Sequence, residues 1–344
     1  MTSRDLIVEQ INHRDTDPIP VTISLESALA ARIDEYYGSP EWRHRICNDI
    51  VVVWPLDASK YEQVDDKHHK DAFGNLWRTD LLPRHLEEPA LSSPTLEGYD
   101  WPASETFFDQ DRYAHAEHVC ATHRDKFIAA NIGWGLFERT WTLRGFTNVL
   151  MDAIAEPDFY EELLDRIVDM QLDFIAKSAT LDIDGIMFSD DWGDQRGVIL
   201  GPERWRRLIK PRIARLYDAV HERGLYTLSH CCGNVADIIP DLIEVGLDVL
   251  ESVQPEAMDP YEVKRRFGKH ITFWGGLGSQ STLAFGKPAA IRAEIKRLSV
   301  EMSRGGGYIL APAKALMNGM PLENAIAAID AFYEVRIGKA ESTC

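Results

Sequence analysis

The sequence predicts an α/β protein of the (β/α)8 TIM-barrel class, a single domain with an insertion after strand two. Three observations lead there. Short apolar runs recur eight times along 344 residues. Each is rich in Ile, Val, Leu or Phe and bounded by turn residues, as strands buried on both faces are. Segments with helical spacing separate the runs, an alternation that builds a parallel sheet. The length suits two average domains or one large barrel, and neither a composition break nor an internal repeat marks a second domain.

The strands are expected, in order, at 19–24, 50–54, 127–132, 185–189, 225–230, 247–252, 271–274 and 308–311. Between them, 202–223 reads as a long helix kinked at Pro211. Asn234 caps a helix over 235–245 that Gly246 ends. Asp259-Pro260 opens a short helix that Gly268 stops, because Asp caps and Pro suits the first helical position. Residues 288–303 place Ala290, Ile291, Ile295 and Leu298 on one helical face, and Gly305-Gly306-Gly307 breaks that helix. The last helix covers 321–335, ahead of a polar tail. Residues 61–124 are too many for one strand-to-helix connection. With a hairpin turn at Phe73-Gly74-Asn75 and a proline-rich section from Pro83 to Pro102, they read as an insertion covering the barrel mouth.

A net charge of −18 argues against nucleic acid, whose phosphates require Lys and Arg, and against an anionic membrane surface. No run approaches the ~20 apolar residues of a membrane span. The charged start, with Arg4, Asp5 and Glu9, is unlike a secretory signal. Five cysteines in a chain of this length make no disulfide framework, which points to a reducing cytoplasm.

In a barrel, chemistry gathers where strands end. Strand four runs into Ser189-Asp190-Asp191 and on to Gln195. Strand five runs into Ser229-His230-Cys231-Cys232-Gly233-Asn234, and strand six into Gln254-Pro255-Glu256. Strand eight leads to Lys314. His230 and Cys232, two apart, project to one side and could take zinc; equally, they suit a hydrogen-bonded histidine beside small apolar cysteines. Cys231 points away and packs. Asp190 and Asp191 face opposite sides, so at most one faces the pocket directly, and an Asp here can also cap the following turn. Gln254 and Glu256 share a side, with Glu256 a third ligand, an acid/base group or a helix cap. Lys314 could be a substrate anchor, a Schiff-base nucleophile or a solvated charge. Glu138, Arg139 and Arg144 follow strand three. Arg144 or Arg139 could bind a carboxylate through its planar fork, or fix the loop by an ion pair.

These residues bring a resemblance into view. The start through Ile19-Pro20-Val21, Phe137-Glu138-Arg139 with Leu143-Arg144-Gly145, His230-x-Cys232-Gly233-Asn234, Phe273-Trp274-Gly275-Gly276, and Gly305 to Pro312 followed by Pro321-Leu322-Glu323-Asn324 resemble the uroporphyrinogen decarboxylase superfamily. That superfamily includes zinc-dependent methyltransferases acting on cobalamin proteins, and the His-x-Cys run resembles their motif. The resemblance implies a (β/α)8 barrel and a zinc-assisted methyltransferase that moves a methyl group from a small substrate to a corrinoid on a separate protein. His230 and Cys232 are then the expected metal ligands, completed by a carboxylate from Asp191 or Glu256. Asp191, Glu256 and Lys314 are the expected catalytic groups; Asp190, Gln195, Gln254, Arg144 and Glu138 are expected to contact substrate. The expected partners are the small substrate, the corrinoid protein and a second copy of the chain.

Two departures from the family pattern matter. The segment Ser24-Leu25-Glu26-Ser27-Ala28 lacks the arginines that hold tetrapyrrole propionates, and Glu26 would repel a polycarboxylate. Haem biosynthesis is therefore not expected. Lys314 stands where the zinc methyltransferases place a cysteine ligand. The alternative reading is a metal-independent decarboxylase or lyase acting on a small carboxylate, with Arg139, Arg144 or Lys314 holding the acid and Asp191 moving protons. A further alternative is a barrel that only binds or scaffolds.

Overall fold

The computed structural model describes residues 1–58, 60–81 and 84–338. Eleven strands are assigned among them. They are β1 (Ile50–Val53), β2 (Tyr61–Gln63), β3 (His68–Asp71), β4 (Leu76–Arg78), β5 (His85–Glu88), β6 (Phe127–Trp134), β7 (Gly185–Ser189), β8 (Tyr226–His230), β9 (Val249–Val253), β10 (Thr272–Leu277) and β11 (Tyr308–Pro312). Seven form one parallel sheet in the order β1-β6-β7-β8-β9-β10-β11, and β2 to β5 form a separate antiparallel sheet.

The first expected strand is not a regular one. Residues 20–26 run extended and make only isolated bridges, Val21 to Leu310 and Leu25 to Leu316. Their backbone nevertheless reaches both ends of the large sheet. Thr22 N donates to Leu310 O (2.9 Å) and Asp49 N donates to Val21 O (3.0 Å). Pro18 and Pro20 lack the N–H groups that a ladder would use, which limits this segment to a few bonds.

Strand alternation sorts the core into two layers. Phe127, Ala129, Met187, Leu228, Val249, Ile309 and Ala311 point to one side and pack with Ile7 and Ile11 of the helix Ser3–Ile11. Their neighbours Ile128, Ala130, Ile186, Phe188, Leu250, Phe273 and Leu310 point to the other side, against the surrounding helices. Continuing the same parity carries Met187 to Ser189 and Asp191, Leu228 to His230 and Cys232, and Val249 to Glu251. The inner layer is thus apolar at the strand starts and polar at their C-terminal ends.

Several helices differ from expectation. Pro211 does not kink one helix; two form, Pro202–Leu208 and Lys210–His221. The helix expected over 235–245 is shortened to Ile239–Glu244, and the Asn234 side chain instead accepts from Ala236 N (3.1 Å). The stretch 61–124 is more ordered than expected. It carries the antiparallel sheet, the Phe73-Gly74-Asn75 turn between β3 and β4, and a helix at Gln110–Thr122. Pro83 and the polar tail beyond 338 lie outside the described residues. No helix among the described residues is long and apolar enough to cross a membrane.

Candidate active site

A cavity of about 590 Å³ opens at the C-terminal ends of the parallel strands, and the antiparallel sheet supplies one of its walls. Asp191, His230 and Cys232 meet on the strand side. One ligand atom from each lies within 4.8 Å of the other two. Cys232 Sγ is 3.3 Å from His230 Nε2, and Asp191 Oδ1 is 3.6 Å from the same nitrogen. Asp191 Oδ1 also accepts from Cys232 N (2.7 Å), which ties the two strand ends together. A thiolate, an imidazole and a carboxylate at these separations suit a borderline cation such as zinc.

His230 Nδ1 bonds the Glu251 carboxylate, leaving Nε2 for the cluster. Burial lowers the His230 pKa, but Glu251 and Cys232 outweigh it and hold the ring well above the usual histidine range. Lys314, exposed at the mouth, faces the same group. Desolvation pulls its pKa down, while Cys232, Asp191 and Glu251 pull it up further and keep it charged.

Local backbone geometry places Cys232. Gly233 has φ +81°, and a Cβ there would come within 2.3 Å of the Gly193 backbone. The two glycines therefore let the loops after β7 and β8 cross in contact. Cys231 packs away from the cavity as expected. It is buried, and Trp192 N donates to its sulfur (3.2 Å).

Asp190 does not contact the cavity, contrary to the substrate role expected for it. It is 2% exposed, on the opposite parity to Asp191. Its carboxylate accepts from Phe137 N (3.0 Å), Glu138 N (2.8 Å) and Trp192 Nε1 (2.6 Å), capping the helix Leu136–Arg144. Burial pushes its pKa up to about 7, against the pull of those three donors.

Four other expected site residues also lie away from the cavity wall. Glu256 does not join the donor cluster, because its Oε1 accepts from Gln280 N (2.9 Å) and Ser281 Oγ (2.7 Å). Gln254 is buried beneath the His-x-Cys loop, accepting from Gly233 N (3.3 Å). Gln195 sits exposed on the turn after strand four. Arg144 is buried in an ion pair with Asp152 (2.8 Å). Glu138 and Lys314 do line the cavity. Burial, together with Asp190 and Asp191, pushes the Glu138 pKa up to about 8.

The sequence reading missed two features and left a third undecided. Glu251, in the middle of β9, was not weighed. Arg139, weighed beside Arg144, is the arginine that faces the cavity. Trp77, Trp134 and Trp141 form an aromatic wall; Trp77 joins the other two from a segment nearly sixty residues earlier, which no local spacing reveals.

Fold and cavity together define an α/β protein with a cavity at the C-terminal ends of its parallel strands. The profile described as Uroporphyrinogen decarboxylase (URO-D) matches residues 139–335, and the chain belongs to that family. Curated relatives include uroporphyrinogen decarboxylases of Psychromonas ingrahamii, 19% identical over 195 residues (56% of this chain, 53% of the relative), and of Syntrophotalea carbinolica, 23% identical over 185 residues (52% and 50%). The chain thus matches about half the length of these relatives. A methyltransferase from Methanosarcina mazei shares the fold across 97% of this chain and 99% of its own, with a TM-score of 0.71 and 19% identity.

Proposed function

We propose that this protein is a methyltransferase that moves a methyl group from a small methylated substrate to a corrinoid carried by a separate protein, with zinc held by Asp191, His230 and Cys232. One observation carries the reading: three donors suited to zinc converge on one cavity wall, with the histidine ring set by Glu251. The reading includes a closed (β/α)8 barrel in the cytoplasm. The bonds of residues 20–26 to Leu310 and Asp49 support an eighth stave, and the β2–β5 sheet is then the insertion at the mouth. The whole-chain likeness to a methyltransferase supports this fold.

In this reading the bond between methyl and heteroatom breaks with both electrons left on the heteroatom. The reduced corrinoid supplies the electron pair for the new bond to the methyl carbon. Zinc, when bound, acts as a Lewis acid on the departing heteroatom. That atom then gains a proton, and in this reading Glu138, a carboxyl on the cavity lining, is its donor. The tryptophan wall keeps water from the reacting carbon.

The test is metal content paired with activity. Wild-type protein and Cys231→Ser should carry stoichiometric zinc and demethylate in the presence of a corrinoid protein; His230→Ala and Cys232→Ser should lose both. Wild-type protein that carries no stoichiometric zinc and shows no corrinoid-dependent demethylation would overturn the reading. It would favour the decarboxylase or lyase alternative, which the cavity-facing Arg139 also supports.

A further inference from the structure

Arg139 is a buried cation whose counter-charge is missing. It sits in the first turn of the helix Leu136–Arg144, is 6% exposed and lines the cavity. Its guanidinium lies over two rings, 4.1 Å from the Phe73 centroid and 5.1 Å from that of Trp134. It makes no ion pair among the described residues, unlike two other buried arginines, Arg144 with Asp152 (2.8 Å) and Arg212 with Asp165 (2.8 Å).

The carboxylate of Asp71, the anion that acts most strongly on Arg139, is already occupied. It accepts from Phe73 N (3.0 Å), Asn75 N (2.9 Å), Asn75 Nδ2 (2.8 Å) and Trp77 Nε1 (2.9 Å). Burial pulls the Arg139 pKa down to about 10, which leaves it charged at neutral pH. A cation out of water and without a partner is costly unless an anion arrives.

The space beside Arg139 is flat-walled. Trp77 and Trp134 stand 5.6 Å apart between centroids, and Trp134 and Trp141 stack at 6.2 Å with 28° between their planes. Such walls favour a planar, polarisable ring. Asp71 lines the same cavity, but its oxygens are already taken, so the anion that meets Arg139 comes from outside the protein. A carboxylate matches the guanidinium fork, which binds it through two parallel hydrogen bonds.

The geometry points to a planar aromatic carboxylate as the substrate class, its acid group on Arg139 and its ring against the tryptophans. This rests on the methyl-transfer reading only for its other end, where a methylated heteroatom would face Asp191, His230 and Cys232. Arg139 is thus a specificity-determining residue.

Native protein is titrated with 4-methoxybenzoate, 4-methoxybenzamide and 4-methoxycyclohexanecarboxylate, and binding is followed by tryptophan fluorescence and calorimetry without turnover. The aromatic acid should bind about ten-fold or more tighter than either analogue. Arg139→Met should erase the preference for acid over amide, and Arg139→Lys should keep part of it. Equal affinity for acid and amide, no binding of any probe, or an unchanged preference in Arg139→Met would overturn the inference. The wild-type series decides even if Arg139→Met fails to fold. Acid-selective binding with no corrinoid-dependent demethylation supports the anchor and overturns the methyl-transfer reading instead.

Discussion

Glu251 binds the Nδ1 of His230, and that contact sets which ring nitrogen the cavity receives. The two residues sit on adjacent parallel strands, the last residue of β8 paired in register with the middle of β9. With Nδ1 taken, Nε2 turns toward Cys232 Sγ at 3.3 Å. A carboxylate behind an imidazole fixes the ring and raises its basicity as a ligand.

Glu251→Gln keeps the shape and removes the charge. Zinc affinity should fall by about 10–100-fold, read by competition with a chromophoric chelator. The fold should survive, because only this ring contact is weakened. Unchanged affinity would mean that Glu251 does not support a metal site.

Asp190→Ala should destabilise the protein without touching the cavity wall. It leaves two backbone N–H groups of the helix Leu136–Arg144 and the Trp192 indole N–H unpaired in the interior. The loss should be about 2–4 kcal/mol, measured as a lowered urea midpoint. A shift well under 1 kcal/mol would show that water replaces the carboxylate and that the cap matters little.

Asp241 should make stability depend on acid. Burial raises its pKa, but Lys210 (2.8 Å) and Arg206 (2.9 Å) outweigh that and leave it below the usual carboxylate value. A carboxylate depressed in the folded state stabilises fully above its unfolded pKa of about 3.9, and that contribution fades as pH falls through the folded value. Urea midpoints of wild type and Asp241→Asn should therefore differ at pH 7 and converge below about pH 4. A constant difference across that range would assign the effect to shape rather than charge.

Local sequence carried the strands well and the site only in part. Runs such as 185–189 match β7 residue for residue, because a buried parallel strand needs continuous apolar character and clear turn boundaries. Alternation was enough to send His230 and Cys232 to one side and Cys231 to the other. It could not tell Asp190 from Asp191, since the capping donors come from Phe137, Glu138 and Trp192 and two of them lie some fifty residues away. Glu256 failed as a ligand for a similar reason: Gln280 and Ser281, from the following strand's loop, claim its carboxylate. Arg139 and Arg144 read alike in sequence. Only the tertiary position of Asp152 decides which of them is neutralised.

Lys314 is the residue whose replacement should strengthen metal binding. Its pKa lies above the ordinary lysine value, so it carries a full charge beside Cys232, Asp191 and Glu251. That charge opposes a divalent cation among the same groups. Lys314→Met should therefore tighten zinc binding by about ten-fold at low salt. Lys314→Cys should tighten it further, because a thiolate adds a donor as well as removing the repulsion. Competition titrations on both variants give the order directly. If Lys314→Met binds zinc no more tightly than wild type, the lysine charge does not oppose a metal at this cluster.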